Sequence, residues 1–157
     1  MFRAHEWPIN AYLETTRAEY RAAGKDVEFL PFYYNAEFVP LNISVTTNVV
    51  NTCDHDSDFI IFQSMQTCFN VATGAIIASP NCLVRITQEV GGRRLEDRDT
   101  HLINIFGRAQ RPFLWPRPLR VPAKSSWTTT VTSLDAANNL NLRLTYGGVK
   151  AVPLVMR

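Results

Sequence analysis

Three cysteines in 157 residues are too few, and an odd number, for a disulfide scaffold. Cys53, Cys68 and Cys82 stand apart from one another and form no CxxC pair, so a zinc ribbon is excluded as well. They read as three small buried hydrophobes, which fits folding in a reducing cytoplasm. Nowhere is the chain apolar for the roughly 18 residues a membrane-spanning helix needs. The opening MFRAHEWPIN lacks the apolar core of a signal peptide, so neither insertion nor export by that route is expected. Charge of one sign is also scarce. The net charge is +2, 19% of residues are charged, and the basic side chains are scattered apart from Arg93, Arg94, Arg98 and Arg108, Arg111, Arg117, Arg120. A nucleic-acid binder concentrates its charge more than this, so no specific nucleic-acid partner is expected.

Catalytic patterns are missing too. There is no GxSxG, and Gly91-Gly92 and Gly147-Gly148 lack the Lys-Ser/Thr that follows a phosphate loop. Carboxylates that might serve a glycosidase (Asp54, Asp58, Glu89, Glu96, Asp97) fall in turns and on exposed strand faces. The loop 51–58, NTCDHDSD, spaces Asp54, Asp56 and Asp58 like the start of a calcium loop. It then lacks the glycine and the closing glutamate, and a strand begins at Phe59. His55 could join Asp54 or Asp56 as a transition-metal ligand, but two neighbours on one loop rarely make a site without distant help, and nothing in the spacing of His5 and His101 favours one. The expectation is a protein with no enzymatic activity, no cofactor and no metal.

What the sequence has in quantity is period-two alternation. Residues 81–118 carry a strand with Cys82, Val84, Ile86, Gln88 and Val90 on one face, then a Gly91-Gly92 reversal that predicts a hairpin. A second strand is predicted over His101–Gly107. Pro112, Pro116 and Pro118 then mark a corner where the chain changes sheets. Upstream, VEFLPFYY from Val27 reads as an edge strand or strand start because of Pro31. FVPLNISVTTNVV reads as one alternating strand, and the long run from Phe59 as a central strand apolar on both faces. Downstream, Trp127, Thr129 and Val131 share one face of a β-branched strand. In the last strand Leu140, Leu142, Leu144 and Tyr146 point inward. With about eight closely spaced strands and no βαβ unit, the fold class is all-β, a jelly-roll-like antiparallel β-sandwich.

Ahead of the sandwich (27–157) lies an N-terminal arm (1–26). Residues 1–10 are expected to be extended, and a short helix is predicted over Ala11–Ala23, with Asn10 as its cap and Gly24 as its stop. Its face of Leu13, Thr16, Arg17 and Tyr20 is only weakly apolar, so it must lean on a neighbouring subunit or on its own sandwich. With no reaction to assign, the remaining role is contact with other proteins. Aromatic residues and arginine carry much of the energy of interfaces. The candidate interface residues are Trp7, Tyr12 and Tyr20 in the arm and Arg111, Phe113, Trp115 and Arg117 at the corner. The alternative for Phe113 and Trp115 is that they cap the sandwich core.

The order of these features resembles small β-sandwich virion proteins of tailed bacteriophages over residues 38–151. The resemblance is carried by Ser57-Asp58-Phe59, the NCLVRITQ strand, Asn104–Gly107, the Pro-Phe-x-x-Pro-x-Pro run ending at Pro118, and Tyr146-Gly147-Gly148-Val149-Lys150. It implies a capsid cement or decoration protein assembled in the host bacterial cytoplasm. Its partner would be the major capsid protein, and it would form a homo-oligomer, a trimer being one form, with its arm laid on a neighbour. The alternative is a neck, tail or spike sandwich that binds a carbohydrate or a receptor, using Asp54–Asp58 and exposed aromatics.

Overall fold

A computed structural model describes residues 7–90, 95 and 98–154. The Gly91-Gly92 reversal, Arg93, Arg94, Glu96, Asp97 and His5 lie outside the described residues. Helix α1 (Trp7–Ala22) begins earlier than the sequence suggested. Pro8 sits in the first turn, where its missing N–H costs nothing, so residues 7–10 are helical rather than extended and Asn10 is inside the helix. Gly24 ends the helix as expected. At φ 71° it lets its own N–H bond the Arg21 carbonyl (2.9 Å) and the Lys25 N–H bond the Tyr20 carbonyl (3.0 Å), closing a Schellman turn.

The strands are β1 (Asp26–Leu41), β2 (Thr46–Thr52), β3 (Asp58–Asn70), β4 (Cys82–Gln88), β5 (Thr100–His101), β6 (Gly107–Arg108), β7 (Phe113–Val121), β8 (Ser126–Ser133) and β9 (Leu140–Leu154). They form two sheets. In the first the order is β1-β9-β3, with β7 and the short parallel β6 both on the far side of β3. In the second it is β2-β8-β4-β5. Successive strands cross between sheets in nested fashion, and this is the strand order of a jelly roll. Among the described residues no helix is long and apolar enough to cross a membrane.

Three segments differ from the sequence reading. Residues 38–50 are not one strand. The chain leaves β1 at Leu41, turns through Ser44 at φ 55° and re-enters as β2, which leaves Ile43 and Val45 exposed. Residues 101–107 are the end of a two-residue strand (Thr100–His101) followed by a 3-10 turn (Leu102–Asn104). The buried residues there are Leu102 and Phe106, spaced as on a helix, while Ile103 is exposed. Residues 113–121 are a strand and not a corner. β7 is an edge strand, where a proline's missing donor is tolerated, and the chain changes sheets before β6 and after β7.

The interior is aromatic. Trp127 stacks on Phe59 (centroids 6.0 Å apart) and meets Tyr34 and Tyr146 edge-on at 5.2 and 5.6 Å. Thr129 and Tyr146 share a buried hydroxyl bond of 2.6 Å. Leu140, Leu142 and Leu144 line up beneath them as the alternation required. A second, smaller core lies on the outer face of the first sheet, where Tyr12, Leu13 and Tyr20 of α1 pack with Val27, Phe29, Ile60, Phe62, Val149 and Ala151. This core explains why β3 is apolar on both faces. It also shows what the weakly apolar helix leans on, namely its own sandwich.

β3 and β9 slip by one residue between Ile61 and Gln63, a bulge at Phe62. Gly147 and Gly148 lie opposite it. A Cβ on Gly148 would sit 2.0 Å from the Ile60 carbonyl oxygen, so the pair is a close-approach site between central strands.

Candidate protein interface

The outer corner where α1 meets β7 is organised by one carboxylate. Asp58 begins β3, and its side chain is 14% exposed. Its Oδ2 accepts from Tyr20 Oη (2.9 Å) and from Arg120 Nε (2.7 Å) and Nη2 (2.6 Å), and its Oδ1 accepts from the Ala123 amide (2.9 Å). Arg120 also donates to Glu19 Oε2 at 2.7 Å and lies 5.5 Å over the Tyr20 ring. Burial works against the Arg120 charge, but the bonds to Asp58 and Glu19 outweigh it and hold its pKa above the ordinary value. Burial, and then the bond to Asp58, raises the pKa of Tyr20. Burial likewise raises that of Tyr12, against the positive charges of Arg120 and Arg117. Tyr12, Tyr20 and Arg117 therefore belong to one surface, fastened by an ion-pair cluster that the sequence reading missed. The apolar neighbours of Asp58 within β3 were the available signal, because a carboxylate heading a buried strand needs a partner.

At the other end of β7, Trp115 is half-buried against the main core. Its Nε1 donates to Ser64 Oγ at 2.8 Å, and Ser64 Oγ in turn donates to the Ile105 carbonyl. Phe113 is half-buried opposite Ser64, while Arg111 and Arg117 are exposed. Trp7 opens α1. Six of the seven candidates thus fall into two groups: Tyr12 and Tyr20 of α1 with Arg117, and Arg111, Phe113 and Trp115 near the start of β7.

The acidic loop is turned onto the protein itself. Asp54 pairs with Lys150, whose Nζ lies 3.3 Å over the Phe32 ring, and it accepts from Tyr34 Oη at 3.4 Å. Burial, then the nearby Cys53 and Asp54, pushes the Tyr34 phenol up to about 12. With Asp54 on Lys150 and Asp58 on Arg120, two of the three loop carboxylates already have cations. His55 and Asp56 are exposed. Among the described residues no three His, Cys, Asp or Glu side chains gather as a metal site. The cysteines are free and buried. Burial pushes Cys53 and Cys82 up to about 12 and Cys68 to about 11, so at neutral pH each is a protonated thiol and a poor nucleophile.

A cleft of about 310 Å³ lies on the first sheet's outer face, lined by Val39, Thr67, Phe69, Asn141, Leu142 and Arg143. Arg143 there pairs with Glu37 at 2.7 Å. Arg143 is the only ionisable group in the lining, so the cleft has no acid and base to set against each other.

No family model matches the chain, and no curated protein matches it. Among solved structures it is similar to the infectious bursal disease virus VP2 subviral particle, at 10% identity and a TM-score of 0.32, with 82% of this chain and 37% of that chain covered. It is similar also to structures of the Gt strain of that virus (11% identity, TM-score 0.30, 81% and 32% covered) and of the Gx strain (12%, 0.26, 79% and 32%). The chain spans about a third of the length of those chains.

Proposed function

We propose that this chain is a non-enzymatic structural protein of a virion, and that on a tailed phage it acts as a capsid cement or decoration protein bound to the major capsid protein. The observation that carries this reading is where the polar chemistry goes. The carboxylates and cations of Asp58–Arg120–Glu19 and Asp54–Lys150 pair with one another within the chain, and the three cysteines are buried. The described surface includes sheet, strand edge, and the Arg111–Arg117 stretch with its half-buried aromatics. A rigid sandwich with such a surface is suited to holding neighbours. The resemblance of residues 38–151 to phage virion sandwiches points the same way. The carbohydrate-binding alternative gains nothing from the acidic loop, because Asp54 and Asp58 face cations of their own chain.

The test is co-sedimentation of the purified protein with capsids that lack it. The intact chain is expected to pellet with the particles at a saturable, fixed ratio. The triple substitution Arg111→Glu, Phe113→Ser, Arg117→Glu is expected to stay in the supernatant while remaining folded. An intact chain that never pellets with capsids refutes the reading.

A further inference from the structure

Five strands border the two sheets, and four of them are protected against pairing with another chain. β1 carries Pro31, Pro40 and the acidic Asp26, Glu28 and Glu37, and the Asn35 carbonyl is occupied by Asn51 Nδ2 at 2.8 Å. β7 carries Pro116, Pro118, Arg117 and Arg120, and β5 and β6 are only two residues long each. These are the usual devices against edge-to-edge association. β2, Thr46-Thr-Asn-Val-Val-Asn-Thr52, has none of them. It has no charge, no proline and no bulge in its pairing with β8, and it is built from β-branched residues and asparagine. Among the described residues nothing pairs with its outer edge.

The direction of its backbone groups follows from the register. Ser133 N–H donates to the Val45 carbonyl (3.1 Å) and Cys53 N–H to the Ser125 carbonyl (2.9 Å), so odd-numbered residues on this strand face β8. An antiparallel ladder alternates, and Thr46, Asn48, Val50 and Thr52 therefore turn their N–H and C=O groups outward. All four side chains are exposed, and Val50 is 55% exposed.

We infer that β2 is a self-pairing edge, at which a second copy of this chain adds its own β2 antiparallel about a two-fold axis through Val49. Such an axis keeps each sheet face on its own side, so the paired residues must have the same parity. Centred on Val49, the strand meets this condition. Asn48 of one copy faces Val50 of the other and Thr46 faces Thr52, and these are the residues whose backbone groups point outward. Val49 faces Val49 at the non-hydrogen-bonded position. Every cross-strand pair is neutral, so no like charges meet, and two four-stranded sheets become one continuous sheet. The inference goes beyond the proposed function, because it concerns contact between copies of this chain and is independent of the capsid partner.

The test is sedimentation velocity of the full chain up to about 1 mM, with circular dichroism to confirm folding. The chain is expected to reach a dimer mass. Asn48→Lys with Val50→Lys places lysines opposite each other and is expected to weaken dimerisation by at least about tenfold. Asn48→Lys with Val50→Glu places opposite charges in the same register and is expected to restore it. Val49→Cys is expected to give an oxidised dimer, because the three native cysteines are buried and the two-fold brings the new thiols together. A chain that stays monomeric throughout overturns the inference. So does a double-lysine variant that dimerises like the parent, or a folded Lys/Glu variant as weak as the double-lysine one. Capsid co-sedimentation is read separately, so a parent chain that stays monomeric yet still binds capsids refutes this edge and leaves the virion reading standing.

Discussion

Replacing Asp58 by Asn changes one charge at the junction of β3, β7 and α1 while keeping the side chain's shape. The carboxylate accepts from Tyr20, from two nitrogens of Arg120 and from the Ala123 amide. An amide has one acceptor oxygen, and its NH2 must face either Arg120 or the Ala123 N–H, each of them a donor. Hydrogen bonds to a charged group contribute about 1.5–3 kcal/mol. Arg120 is 31% exposed, so water relieves part of the loss, and we expect a destabilisation of about 2 kcal/mol. For a chain of this length that lowers the melting temperature by roughly 4–8 °C. Glu19→Gln is the control, since Glu19 bonds the same arginine but is 58% exposed, and its effect should stay below about 0.5 kcal/mol. Urea unfolding measures both. Hydrogen exchange then locates the damage, which should appear first in the amides of α1, the element this cluster fastens. If Asp58→Asn unfolds at the parent's urea midpoint, or if Glu19→Gln costs as much, the cluster does not hold the helix in the way described here.

The thiols predict a pH dependence. Their folded pKa values, about 12 for Cys53 and Cys82 and about 11 for Cys68, lie above the unfolded value near 8.5. The unfolded chain thus releases protons first. The contribution is fully present below about pH 8.5 and is lost as pH rises toward 11–12, at up to about 1.4 kcal/mol per pH unit for each thiol. Urea midpoints between pH 7 and 10.5 should fall, and Cys68→Ala should flatten the slope; an unchanged midpoint at pH 10 contradicts the assignment. Gly148→Ala drives a Cβ to 2.0 Å from the Ile60 carbonyl oxygen and is expected to cost at least about 3 kcal/mol by denaturation, whereas a loss under about 1 kcal/mol means β3 and β9 are not so close. Among the described residues Trp127 Nε1 is buried with no hydrogen-bond partner, so Trp127→Phe should cost less than about 2 kcal/mol while Trp127→Ala costs about 3–5, also by denaturation.

How far the sequence reveals this fold depends on which residues face two environments. β9 and β8 were legible because Leu140–Tyr146 and Trp127–Val131 each have one face in the core and one outside. β3 read as central because Ile60 and Phe62 lie under α1 while Phe59 and Ile61 face the interior. Residues 101–107 misled because Ile103 and Ile105 imitate alternation while Leu102 and Phe106 do the packing at helical spacing. The proline run misled for a different reason. Prolines argue against a central strand but not against an edge, and strand position is a property of topology that no local pattern carries. The Asp58–Arg120 cluster joins residues 62 positions apart, and spacing alone could not pair them. The same holds for β2, whose self-complementarity mattered only once its place at the sheet border was known.

The most direct measurement of the central claim is the copy number of this chain in purified particles, by quantitative mass spectrometry against the major capsid protein. A structural sandwich predicts many copies in a fixed ratio to that protein, unchanged by further purification. A chain that is absent from the particles, or lost from them at the first gradient, contradicts it.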